Sequence, residues 1–475
     1  MVPIPPTNPL IAAAAECPTA VFGARTIAGQ QHRPDPRILP GVVKCTVQLV
    51  DGMRTKGVSH LRPVECDAGD LAGTVVVVGD VGHRLGARRE HPFGGVEDLG
   101  DERCFWGHVF SQIARLRTLE TRELAETRHN GGMASTHRPL PTLTELLEQA
   151  SVVSIPLNTR FRGVDAREAV ILRGPEGATE FSPFVEYDDV ESLAWLAGAV
   201  DFGWVPTPAP LRDRIAVNAT LPAVSPAEVE RVLARYPGCR TIKVKVAERG
   251  QTLDDDLARV REARAILGSE GRIRLDANGG WNVGEAEKAI HALAEFDLEY
   301  VEQPCPTVDD LWEIRQRVKY MGIPIAADES VRKVDDPLEV ARRAAADVLV
   351  IKAQPLGGIH SALDIAERAG LPVVVSSALD TSIGIAMGAH LAASIPNLEY
   401  DCGLATAALL TVDVTAEPLI PVGGSIPVVR PLLDESLVQR VLAAPDRDAW
   451  WRDRLTRVYG LLLELSESNG RHAGD

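Results

Sequence analysis

Three acidic residues recur at an equal spacing of twenty-six: Asp276 in RIRLDANGG, Glu302 in LEYVEQP and Asp328 in PIAADES, each closing a short apolar run that reads as a buried strand. Delivered by three adjacent strands, the carboxylates would share one divalent cation. Their hard oxygen donors suit Mg²⁺, with Mn²⁺ as a substitute, and such an ion keeps water positions that a substrate carboxylate can take. Lys243 and Lys245 stand one run earlier in TIKVKVA, and Lys352 stands one run later in DVLVIKA. Lysines flanking a metal-binding acid set are the groups needed to remove a proton next to a carboxylate and hold the enediolate that forms. Singly, each acid also reads as a solvated loop residue or a helix cap; the shared register favours the site.

Lys243 and Lys245 are two apart on a strand and share a face. With Lys245 at the strand end, Lys243 points inward one layer below. A lysine with the ordinary pKa of ~10.4 is protonated at neutral pH and is no base. A second ammonium and a metal cation both oppose its charge, so Lys243 is expected to support Lys245 as base. Two solvated lysines on an edge strand would show the same spacing. Lys352, alone in an apolar run, is costly without a partner or task. It suits a second acid/base or a cation against a planar intermediate, or simply a strand-end lysine reaching solvent. Asn278 shares the side of Asp276 and reads either as support for a ligand or as a turn residue in Asn-Gly-Gly. The N–H groups of Ser376, Ser377 and Gly403 are candidate binders of an anionic substrate tail, or belong to tight turns. His291, His360 and His390 fall on helical stretches without ligand spacing and read as surface or packing residues.

Such convergence requires strands that end together. Strand-like runs recur at 214–220, 241–247, 272–278, 298–304, 324–330, 347–353, 372–378 and 398–404. Eight runs about 25 residues apart, alternating with helices, are the arithmetic of a (β/α)8 barrel, whose catalytic groups sit at the C-terminal strand ends. Ser225-Pro226-Ala227-Glu228 is a capping box with proline at the first helical position. Thr307 and Asp336-Pro337 open the helices after the fourth and fifth runs. The eighth run, LEYDCGL, is the weakest. Before the barrel, strands at 151–159 and 167–174 and a helix at 188–200 form a small α+β module. A last helix, 447–466, carries apolar and Trp positions suited to docking.

Composition bounds the partners. The net charge of −16 opposes a phosphate backbone, so no nucleic-acid partner is expected. No run approaches the roughly 18 apolar residues of a membrane span. Seven scattered cysteines show neither a disulfide framework nor zinc spacing and read as reduced thiols in a cytoplasmic protein. Oligomeric state is not fixed by the sequence.

From about residue 140 onward, KVKVAERGQTLDDDLARV, RLDANGGW, EYVEQPC, IAADESVRK, VIKAQPLGGI, VVVSSALDTSIGIA and CGLAT together resemble the enolase superfamily, muconate-lactonizing subgroup, most closely its actinobacterial-type o-succinylbenzoate synthase family. The resemblance implies an α/β fold: a modified (β/α)8 TIM-type barrel over 213–425, an α+β capping domain over 140–212, and a segment 426–475 completing the cap. It places metal ligands on Asp276, Glu302 and Asp328 and catalytic lysines on Lys245 and Lys352. It implies metal-dependent dehydration of 2-succinyl-6-hydroxy-2,4-cyclohexadiene-1-carboxylate, a small-molecule carboxylate, on the route to menaquinone. The segment around Arg160 and Arg162 resembles the loop that closes over substrate. N-acylamino acid racemisation or dipeptide epimerisation fits the same lysine pair, and an inactive barrel serving as an interaction protein is the remote alternative.

The family pattern does not extend over residues 1–132. That extension holds a strand-like run at 73–82, a helix-like stretch at 109–128 and no catalytic grouping. It is either an added domain or the product of a start assigned too far upstream, the second being favoured, and its composition gives no strong core pattern.

Overall fold

The computed structural model describes residues 42–43, 66–67, 140–332 and 337–472. Residues 1–97 form one compact unit and 98–475 another. In the first, β1 (Val42–Val43) pairs antiparallel with β2 (Cys66–Asp67). The elements expected over 73–82 and 109–128 lie outside the described residues.

The second unit begins with α1 (Leu143–Glu148), capped by Thr142, whose Oγ1 accepts from Glu145 N at 3.2 Å. An antiparallel sheet follows, β3 (Ser151–Phe161), β4 (Val164–Gly174) and β5 (Gly177–Phe181), with longer strands than expected. Arg162 and Gly163 make the β3–β4 turn at φ 50° and 78°. Two positive-φ residues match the strand twist of a tight hairpin. Helix α2 (Glu191–Trp204) starts later than expected and is apolar nearly all round, with Leu193, Trp195, Leu196 and Phe202 buried. Such a helix has neighbours on several sides.

Seven strands form one parallel sheet in sequence order: β7 (Ala219–Leu221), β8 (Thr241–Lys245), β9 (Arg272–Asp276), β10 (Leu298–Glu302), β11 (Ile325–Ala327), β12 (Val348–Ile351) and β13 (Val373–Val375). They alternate with α3 (Val229–Leu233), α4 (Leu253–Leu267), α5 (Val283–Leu293), α6 (Val308–Val318), the short α7 (Glu329–Arg332) and α8 (Glu339–Arg342), and α9 (Ile359–Ala369); α10 (Ser382–Ser394) follows β13. The box at Ser225 and the cap at Thr307 form: Ser225 Oγ lies 3.0 Å from Glu228, and Thr307 Oγ1 accepts from Asp310 N at 3.1 Å. Asp336 lies outside the described residues, and α8 begins at Glu339.

Two strand expectations change. Residues 214–220 split, because β6 (Arg214–Ala216) leaves the barrel to pair antiparallel with β14 (Ser425–Pro427), and only β7 joins the sheet. The eighth run forms no strand. Cys402 bridges Val217 and Gly403 bridges Ser376, both parallel, and these two contacts close the barrel. The approach is close: a Cβ on Gly403 would lie 2.5 Å from Ser376 Oγ, so a side chain is excluded where the ring shuts.

Inside the barrel, Tyr300, Ala326, Val348, Val350 and Val374 pack as their own cluster. Arg274 completes this floor, bonded to Asn218 Oδ1 (3.1 Å) and the Asp401 carbonyl (2.6 Å) and stacked 4.8 Å from the Tyr300 ring centre. Outward-facing strand residues join the main core, where each fully buried Val, Leu or Ile contributes about 1.5–3 kcal/mol. After β14 come α11 (Glu435–Arg440) and α12 (Pro445–His472). Trp451, Leu455, Val458 and Leu462 form the buried stripe of α12. Trp451 meets Phe181 of β5 edge-on at 6.0 Å and donates to Glu168 of β4 at 2.9 Å, so the tail packs on the first sheet. No helix among the described residues is long and apolar enough to cross a membrane.

Candidate active site

The barrel brings the predicted acids and lysines to one end. Lys245, Asp276 and Glu302 are register partners across β8, β9 and β10; Asp328 follows β11 and Lys352 follows β12. Lys243, Lys245, Asp276, Asn278, Asp328 and Lys352 line a single cavity, roofed by Phe161, Arg162 and Phe184 and walled by Ser376, Ser377, Gly403 and Thr406. Glu302 lies beneath this lining, bonded to Lys243. The three lysines are only 7–9% exposed and the three acids 0–1%. Buried ion pairs are weak stabilising devices, and such a concentration of them at strand ends argues for chemistry.

Each acid meets an ammonium. Lys245 Nζ lies 2.5 Å from Asp276 Oδ2, and Lys243 Nζ lies 3.3 Å from the same oxygen and 3.1 Å from Glu302 Oε1. Lys352 contacts Asp328 Oδ2. Burial opposes charge on Asp276 and Asp328, but the cations outweigh it: Lys245 and Lys243 hold Asp276, and Lys352 and Arg332 hold Asp328, well below the usual carboxylate range. Glu302 goes the other way, pushed up to about 7 by burial and the Asp276 charge. Burial lowers Lys352, whose partner Asp328 is shared with Arg332. Lys243 stays in the charged form. Burial works against its charge, yet Glu302 and Asp276 prevail and raise its pKa, so its ammonium neutralises acids rather than bearing unopposed on Lys245.

Asn278 serves the site directly. At φ 46° its Oδ1 accepts from Lys245 at 2.7 Å while its N–H donates to Asp276 at 3.1 Å. Arg162 lines the cavity and stacks 4.5 Å from Phe184, whereas Arg160 bonds the Gly163 carbonyl outside it. The backbone donors proposed at Ser376, Ser377 and Gly403 are already engaged: their N–H groups bond the carbonyls of Ile351, Gly403 and Val375 at 2.9, 3.0 and 2.8 Å. Closing the barrel consumes them, leaving the serine side chains to face the cavity region.

Several site residues escaped the sequence reading. Phe161 places its ring 5.4 Å from Lys245 Nζ. Arg332 donates to Asp328 (3.0 Å), Glu329 (2.8 Å) and the Tyr187 hydroxyl (3.0 Å). Gln303, at φ 39°, accepts from Asp328 N (2.9 Å) and Ser330 N (3.1 Å), fixing the turn after β11. The i, i+4 spacing of Asp328 and Arg332 was the available signal.

The donor set suits a hard divalent cation: three buried carboxylates whose mutual repulsion shows in the raised Glu302. Among the described residues no three metal-ligating side chains stand close enough to make a finished cage, since the lysines occupy the carboxylate oxygens. A bound cation would take over the charge compensation the ammonium groups provide.

Known proteins resemble this chain in sequence and in fold. Residues 226–431 match a family model described as enolase C-terminal domain-like, and 152–203 one described as enolase N-terminal domain-like. The chain is 49% identical to the o-succinylbenzoate synthase of Mycobacterium marinum and 50% identical to that of Mycobacterium tuberculosis H37Rv, each match covering 68% of this chain and 98% of the relative. Among solved structures, the muconate lactonizing enzyme of Pseudomonas putida shares the fold at 20% identity and TM-score 0.53, over 62% of this chain and 98% of that one. The L-Ala-D/L-Glu epimerase of Bacillus subtilis aligns at 26% identity and TM-score 0.51, over 60% and 96%.

Proposed function

The chain belongs to the enolase superfamily and, within it, to the o-succinylbenzoate synthase family, and from that membership we propose that it dehydrates 2-succinyl-6-hydroxy-2,4-cyclohexadiene-1-carboxylate to o-succinylbenzoate, a cytoplasmic step of menaquinone biosynthesis. The observation that carries this reading is the placement of Lys245 and Lys352 in one cavity, on either side of the acids. A divalent cation, Mg²⁺ in this reading, held by Asp276, Glu302 and Asp328, supplies positive charge against the electrons arriving on the substrate carboxylate.

Lys245 enters as the free amine and takes the α proton, whose bonding electrons pass into the carboxylate as an enediolate. Asn278 and Phe161 orient its Nζ. Collapse of the enediolate breaks the adjacent C–O bond, and the same lysine returns the proton to the leaving hydroxide as water. Proton removal and return on one face make the elimination syn. Lys352 lies against the other ring face as a cation opposite the planar anion. Phe161, Phe184 and Arg162 close the cavity from above and exclude water.

A second reading has its own support. Burial lowers Lys352, which brings it nearer to acting as a base on its own face, as N-acylamino acid racemisation or dipeptide epimerisation requires. Comparing kcat/KM for the cyclohexadiene with that for N-succinyl amino acids decides between them. The proposal expects the larger value for dehydration; a larger value for racemisation overturns it.

A further inference from the structure

Lys352 lines two cavities. One is the site cavity; the other, smaller, is lined by Lys352 with Gln354, Asp380 and Gly384, and the two share Ser376 and Ala378. Asp380 is 5% exposed. Its Oδ2 accepts from Ala378 N at 3.2 Å, and its Oδ1 has no hydrogen-bond partner among the described residues. A buried carboxylate oxygen left in this way is costly unless a positive charge is near; burial raises the pKa of Asp380, and the charge of Arg167 and then, more weakly, that of Lys352 act against it.

The loop carrying Asp380 is held from the first sheet. Leu379 adopts φ 65°, a strained conformation for its residue type, and its carbonyl accepts from Arg167 Nε of β4 at 3.1 Å. Thr381 N and Gly384 N both donate to Glu180 of β5 at 3.1 Å. These contacts join the sheet to the entry of α10 and fix where Asp380 stands.

Lys352 has one carboxylate partner among the described residues, Asp328. A cation bound by Asp328 competes for that partner. Glu329, whose charge also acts on Lys352, lines neither cavity, and its Oε1 accepts from Arg332 and Asn278. We infer that Asp380 is a positioning residue for Lys352: across the cavity they share, its carboxylate holds the ammonium at the second substrate face once Asp328 serves the metal. The inference rests on the proposed metal-dependent dehydration.

The test is a double-mutant cycle of Asp380→Asn and Lys352→Met, followed by thermal melts in excess Mg²⁺ and in chelator, with dehydration kinetics of Asp380→Asn and Asp380→Glu alongside. In Mg²⁺ the fall in Tm of the double variant should be smaller than the sum of the single falls, and the difference should shrink in chelator. Asp380→Asn should lower kcat about 10- to 100-fold with KM within about twofold, the cost typical of a partner that orients an active-site group, and Asp380→Glu should recover part of it. Should Asp380→Asn not fold, Asp380→Glu carries the kinetic comparison, with a smaller loss confined to kcat. Additive falls in Tm, or a wild-type kcat in the aspartate variants, overturn the inference. The melts need no turnover, so a wild-type protein that fails to dehydrate the substrate overturns the functional reading instead and leaves the pairing to be judged by the cycle.

Discussion

Lys245 and Asp276 stand opposite each other in the parallel register of β8 and β9, and their side chains meet at 2.5 Å, Nζ to Oδ2. The proposed base and a proposed metal ligand are therefore bonded to one another. In the proposed mechanism a cation that claims the Asp276 carboxylate would free the amine toward the cavity and so couple metal binding to the readiness of the base. Lys243, which also reaches Asp276 and bonds Glu302, remains as the cation beneath.

Replacing Lys245 by alanine should abolish dehydration and leave the fold intact. Lys243, the amine beneath it, is paired with Asp276 and Glu302, which hold it in the charged form, and a positioned general base is worth roughly 10²- to 10⁴-fold. Circular dichroism and turnover on one sample check this; more than about a hundredth of wild-type activity would remove Lys245 from the role.

Asp276→Asn, Glu302→Gln and Asp328→Asn should each weaken Mg²⁺ binding, measured by calorimetry, and lower turnover with it. Asp276→Asn and Asp328→Asn also leave Lys245 and Lys352 without a carboxylate partner, and breaking a buried pair costs about 3–5 kcal/mol, so melting temperatures should fall as well. Chelation should stop the wild-type reaction and added Mg²⁺ or Mn²⁺ restore it. Full activity in excess chelator would sink the metal assignment.

The acids were legible because each ends an apolar run and a barrel brings strand ends together, which turns an equal spacing into proximity. The lysines were legible for the same reason. What sequence could not show depends on partners far along the chain. Glu180 reads locally as one more acid in a strand, yet it caps Thr381, 201 residues away. Ser376, Ser377 and Gly403 could be placed at the rim, but which N–H groups remain free is decided by how the barrel closes. Arg332 takes on its role only where the fold sets Asp328, Glu329 and Tyr187 around it.

Glu180 gives a pH signature. Burial, with the Asp380 charge beside it, pushes its carboxyl up to about 7 from an ordinary 4.5. A raised folded value means that the protonated form is favoured in the fold; its stabilising contribution is complete below 4.5 and is lost as pH rises to about 7. Melting temperatures of the wild type and Glu180→Gln, compared from pH 5 to pH 8, should show the wild type losing ground as pH rises, with the difference levelling above neutrality. A difference that moves in the other direction would contradict the assignment.

Lys352→Arg separates the two activities. Arginine keeps the charge but hardly deprotonates, so some dehydration should survive while any racemisation of N-succinyl amino acids disappears. In D₂O the wild type should exchange the α proton of one enantiomer through Lys245 and of the other through Lys352. Exchange of both at wild-type rates in the variant would show that the lysines do not work on opposite faces.

The most direct measurement is product formation by the purified protein. With Mg²⁺ and the cyclohexadiene substrate, the account predicts one equivalent of o-succinylbenzoate per substrate consumed, at rates that Lys245→Ala and chelator both abolish. No o-succinylbenzoate from folded, Mg²⁺-saturated protein, or the same amount from Lys245→Ala, would contradict it.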